Sequence, residues 1–143
     1  MHYNIYSFII KYKVRKLIQA LKIPRGSSIL EYLEQVIRER GLRSGVILGI
    51  GGLERVEVGY YSPEKGTYER AEYRAGETVL EVTSMAGNYL VKRDGSISIH
   101  IHVNIATKDY VKGGHLVSGV ANPFLEVFLI EANTDLSIIF SHR

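Results

Sequence analysis

Cysteine is absent from the 143-residue chain, which removes disulfide staples and thiolate metal sites together. Any transition-metal site must therefore be built from histidine and carboxylate. No apolar run approaches the roughly 20 residues a membrane-spanning helix needs, and the opening MHYNIYSFIIKYKV lacks the pattern of a secretion signal, so the expected location is the cytoplasm with no membrane partner. Charge of one sign is also scarce. Lysine and arginine number 18 against 15 acidic residues, a net +3, too mild to argue for nucleic acid by itself. The early positives Lys11, Lys13, Arg15, Lys16, Lys22 and Arg25 read best as a solvated face. No linker, repeat or low-complexity tract divides the chain, and its length suits one domain spanning 1–143.

The segments present alternate between one helix and many strands. In YSFIIKYKV, Tyr6 to Val14, apolar residues share one parity and Lys11 and Lys13 the other, which predicts a strand with one wet face. SILEYLEQVIRERGL predicts a helix near Ile29 to Arg40. Ser28 and Glu31 have capping-box spacing, Ile29, Leu33, Val36 and Ile37 form a stripe, and Gly41 supplies a left-handed stop. A hairpin is expected at SPEKG. TVLEVTSMAGNYL, SISIHIHVNIA, HLVSGVA, FLEVFLIEA and DLSIIFS are each of strand length. The expected fold is α+β, a single compact domain with a curled, largely antiparallel or mixed sheet and one main helix. The GIGG run at Gly49 to Gly52 lacks the Lys-Ser/Thr of a phosphate loop and reads as a bend or a close backbone approach.

Three histidines stand out. His100 and His102 alternate in ISIHIHVN, so both imidazoles project from one face with Cα atoms roughly 6–7 Å apart. After the return ATKDYVKGG, His115 falls where a neighbouring strand would bring it across from the pair. Three neutral imidazoles suit Zn²⁺, Fe²⁺, Ni²⁺ or Mn²⁺ and leave at least one coordination place for water, a substrate atom or a carboxylate such as Glu81 or Glu126. Those two glutamates are the candidate acid/base groups of any reaction. Asp109 is a further carboxylate, better read as a hydrated loop residue. Without a metal, the same histidines would pack at a subunit contact or satisfy buried hydrogen bonds. Gly113 and Gly114 read equally as a hairpin corner or as an opening that exposes backbone N–H groups to a small anion. His2 and His142, near the ends, are expected to be incidental.

The segment HIHVNIATKDYVKGGHLVSGVANPFLEVFL resembles the signature of the plants-and-prokaryotes-conserved (PPC) domain. YYSPEKGTY and LEVTSMAGNYL resemble that family's tyrosine-rich hairpin and its E-I-x-S-L-x-G-N segment. The resemblance implies a homotrimer, with a divalent ion, zinc first, on His100, His102 and His115, and a small-molecule or enzymatic role. Plant relatives imply an alternative, DNA association through appended AT-hooks, but IPRGSS holds only a scrambled trace of the Arg-Gly-Arg-Pro core, and Thr78, Val79 and Leu80 replace the Gly-Arg-Phe that precedes the glutamate in many plant members. A non-catalytic oligomeric scaffold is the third reading. The fold also resembles that of acetolactate decarboxylase, a likeness that assigns no reaction.

Overall fold

A computed structural model describes residues 17–143; the strand expected at Tyr6 to Val14, His2 and the basic residues Lys11 to Lys16 lie outside that span. The elements run β1 (Ile18–Pro24), α1 (Ile29–Glu39), β2 (Ser44–Ser62), β3 (Thr67–Arg74), β4 (Leu80–Val91), β5 (Ile97–Ala106), β6 (Val111–Glu131) and α2 (Leu136–Ile139). All strand pairings are antiparallel. Their order is β1-β6-β5-β4-β2-β3, and an added β6–β2 pairing rolls the sheet back onto itself. This is the expected curled α+β domain with one dominant helix.

The curl follows from two long strands. β2 has 19 residues and β6 has 21, and they pair along most of their length with register shifts at Gly51/Leu53, Leu53/Arg55 and Glu57/Val58. Such shifts break the even ladder as bulges or irregularities do, and a bulge bends a strand and tightens its twist. Gly51, at φ +141°, sits at one of them, and a Cβ there would meet the backbone of Leu125 at 2.8 Å, so the GIGG run is a close backbone approach. HLVSGVA and FLEVFLIEA, expected as separate strands, are two parts of β6, because their partner β2 continues past the Asn122–Pro123 step.

Helix α1 buries Ile29, Leu33, Val36 and Ile37 against the inner face of the sheet, whose contribution includes Ile47, Ile101, Val103, Val127 and Leu129. It stops as expected. Gly41 takes φ +61°, the Gly41 amide bonds to the Arg38 carbonyl, and the amide of the buried Leu42 bonds to the Ile37 carbonyl, a Schellman closure. Its start differs from the expected capping box. Ser28 makes no side-chain cap, and its backbone instead bridges Val120 of β6, so the sheet fixes the helix entry.

DLSIIFS, expected as a strand, forms α2. The Asp135 carboxylate accepts hydrogen bonds from the Ser137 amide at 2.9 Å and its hydroxyl at 2.7 Å, a local turn that outcompetes the alternating pattern. Ser44 anchors the segment, donating to the Thr134 carbonyl and accepting from the Leu136 amide. Among the described residues no helix is long and apolar enough to cross a membrane.

Candidate metal centre

On β5, Ile101, Val103 and Ile105 enter the core, which obliges His100, His102 and Asn104 to face outward. The turn at Thr107–Tyr110, closed by the Thr107 amide on the Tyr110 carbonyl at 2.9 Å, then brings β6 alongside. In the resulting register His102 lies directly opposite His115. The glycine pair is not at the corner: Gly113 and Gly114 lie within β6, opposite Asn104 and Val103. A Cβ on Gly113 would collide with the Asn104 side chain, so the missing side chain makes room for that neighbour.

The three histidines converge. One nitrogen from each lies within 4.8 Å of the others, and the His100 and His102 Nε2 atoms are 3.2 Å apart. The ring centroids stand 5.0, 5.2 and 5.6 Å from one another. Nitrogens held ~2.0–2.1 Å from one tetrahedral ion would stand ~3.4 Å apart, with ring centres about 5 Å apart, so the arrangement is of the right size for a single cation. The electrostatics agree. Burial, then the neighbouring His115, His102, Arg143 and His142, hold His100 below the usual histidine range, and burial followed by His102 does the same for His115. Neutral rings keep the lone pairs that ligands need. His115 Nδ1 is buried without a hydrogen-bond partner among the described residues, an unsatisfied polar atom of the kind that coordination or a bound ligand would satisfy. The residues therefore fit a metal.

Neither expected carboxylate joins this cluster. Glu81 pairs with Ala106, four residues beyond His102 along β5, or about 13 Å away at strand rise. Glu126 lies eleven residues past His115 on β6, between Lys22 of β1 and Ile50 of β2. Asp109 is exposed in the β5–β6 turn, and His142 lies beside Phe140 with ring centroids 6.2 Å apart.

Two neighbours of the cluster were not placed at the site from the sequence. Tyr68 stacks on His115, with ring centroids 4.8 Å apart and planes inclined by 26°. This is possible because Gly59, opposite His115 on β2, has no side chain: a Cβ there would press on Tyr68 Cδ1 at 2.8 Å. The hairpin register, counted outward from SPEKG, was the signal that would have found it. Arg143 has no such signal. Its guanidinium donates to Ser98 Oγ at 3.0 and 2.8 Å and to Asn88 Oδ1, and Asn88 lies directly opposite His100.

Residues 12–133 match the Plants and Prokaryotes Conserved (PCC) domain. The chain belongs to that family. Among solved structures it is similar to a PPC protein from Pyrococcus horikoshii, at 30% identity and TM-score 0.75, covering 82% of this chain and 80% of that one. A metal-containing protein from Archaeoglobus fulgidus is also 30% identical, with TM-score 0.74 and coverage of 82% and 81%. A candidate DNA-binding protein from Bacteroides thetaiotaomicron, 22% identical with TM-score 0.75 and coverage of 83% and 81%, shows the shared fold. No curated protein matches the chain.

Proposed function

We propose that this PPC-domain protein binds one divalent metal ion, zinc first, through His100, His102 and His115, and acts on or binds a small molecule at that centre as a homotrimer. The observation that carries this reading is the convergence of three histidine nitrogens within 4.8 Å on the outer face of the sheet. The 30% identity to a metal-containing relative supports it. When bound, such an ion supplies Lewis-acid polarisation of a substrate oxygen. The chain's own part is to favour the neutral rings of His100 and His115 and to fix all three histidines on two hydrogen-bonded strands. Tyr68 adds to this by restricting the His115 ring.

Assembly is supported by the same outer face. Leu48 pairs with both Ala86 and Phe128, and Ala86 pairs with His102, so the row from the histidines runs straight into an apolar patch. Leu48 is 42%, Phe128 47% and Ile50 55% exposed. Lys22 and Glu126 place one charge of each sign on it, so copies of the chain would meet there without net repulsion. The metal centre would then lie at the border between subunits.

Elemental analysis of untagged protein tests the centre: about one metal per chain is expected, lost in His102→Ala. A stoichiometry near one that survives the substitution would overturn it. DNA association is the second reading, favoured by the description of the Bacteroides relative. It predicts a duplex affinity that falls steeply with added salt, and it fails if no salt-sensitive binding occurs.

A further inference from the structure

Beside the histidines lies a second basic feature. A cavity of about 480 Å³ opens between α2 and the β4–β5 turn, lined by Lys92, Arg93 and Arg143 together with Phe140, Ser137 and Ser141. Three cations line it and no carboxylate side chain does. Of the nearby acids, Asp94 accepts from the Ser96 amide and hydroxyl and attracts Lys92 without an ion pair, and Asp135 accepts from the Ser137 amide and hydroxyl. Among the described residues no carboxylate side chain forms an ion pair with Lys92, Arg93 or Arg143.

Arg143 is the member that connects this cavity to the histidines. A half-buried guanidinium ordinarily takes a carboxylate or phosphate partner, whose paired oxygens match its fork. Here it meets only the neutral Ser98 Oγ and Asn88 Oδ1, which use its Nε–H and one N–H on each terminal nitrogen. Two N–H groups of the five remain. Its position is set by the same strands that set the histidines. Asn88 is the cross-strand partner of His100, a relation that brings Cβ atoms to about 4.5–5.5 Å, and Ser98 precedes His100 by two residues on the same face. The two neutral partners thus fix a guanidinium next to the cluster with no carboxylate side chain paired to it among the described residues.

We propose that this cavity binds a small organic anion through a carboxylate or phosphate group on Arg143, flanked by Lys92 and Arg93. The ligand then extends past Asn88 toward His100, so that a second oxygen reaches the three-histidine centre. This second contact rests on the metal reading given above; the anion-binding cavity does not.

The test is calorimetric titration of the full chain, metal-stripped and zinc-loaded, with inorganic phosphate and separately with malonate. Metal-stripped protein is expected to bind at least one of them at or below about 10 mM, more weakly as salt is added. Arg143→Gln is expected to weaken binding about tenfold and Lys92→Gln combined with Arg93→Gln about threefold, with zinc content of the loaded variants unchanged. A phosphate preference identifies a phosphorylated ligand and a malonate preference a carboxylate. No binding to the stripped wild type, or equal binding by wild type and both variants, overturns the cavity. Because that arm contains no metal, it stays decisive even if the histidines prove to hold none. Tighter malonate binding on zinc loading supports the bridge to the centre; equal affinity with and without zinc overturns the bridge alone.

Discussion

The two faces of β5 carry different burdens. Ile101, Val103 and Ile105 on the inner face are almost wholly enclosed, while His100, His102 and Asn104 on the outer face meet solvent or other polar groups. Alternate residues of one ten-residue strand thus serve the core and the candidate chemistry separately. The teaching is that the site costs the fold little, because no ligand side chain was taken from the core.

The largest effect should come from the inner face. Ile101→Ala removes a fully buried side chain between α1 and the sheet and is expected to cost roughly 2–5 kcal/mol by chemical denaturation. A loss below 1 kcal/mol would mean that the inner face does not carry the stability assigned to it.

Gly87 tests whether the faces are also separated by backbone spacing. It pairs with Ile101, and an added Cβ would land on the His100 carbonyl oxygen and come within 2.8 Å of the Ile101 Cα. Neither group is the movable end of a side chain. Gly87→Ala is therefore expected to cost about 1–3 kcal/mol and, by pushing β5 away from β4, to lower metal content as well. Normal zinc retention in a destabilised Gly87→Ala protein would show that the histidine geometry tolerates strand displacement.

How much of this was readable in advance depended on whether the deciding contact was local. The helix could be read because Ile29, Leu33, Val36, Ile37 and Gly41 carry its stripe and its stop within one segment. The convergence of His100, His102 and His115 was readable because alternation and one short return fix it. What failed was what distant partners decide. Ser28 is held by Val120 rather than by its own cap, and the long course of β6 follows β2. Glu81 and Glu126 looked available because composition says nothing of the register that carries them away from the histidines. Arg143 escaped notice for the converse reason: 45 residues separate it from Ser98 and 55 from Asn88.

A smaller effect is expected at α2. Asp135→Ala removes the acceptor of the Ser137 amide and should cost about 0.5–2 kcal/mol, measured by thermal unfolding. Since α2 forms one wall of the basic cavity, the variant is also expected to bind inorganic phosphate more weakly. Unchanged stability and unchanged phosphate binding together would show that the cap does not set the position of α2.

The smallest expected change in stability is the most informative about the outer face. In metal-stripped protein, His102→Ala removes an exposed ring on the outer face, so unfolding free energy should move by no more than about 0.5 kcal/mol. It even relieves His100 and His115, whose protonation the neighbouring ring disfavours. In zinc-loaded protein the same substitution should cost far more, because the wild type gains stability from the bound ion in proportion to how far zinc exceeds its dissociation constant, and the variant does not. The difference between the two measurements isolates what the metal adds. If His102→Ala is equally mild with and without zinc, the outer face holds no ion; if it is equally severe, His102 belongs to the packing of the sheet and the division between the two faces of β5 fails.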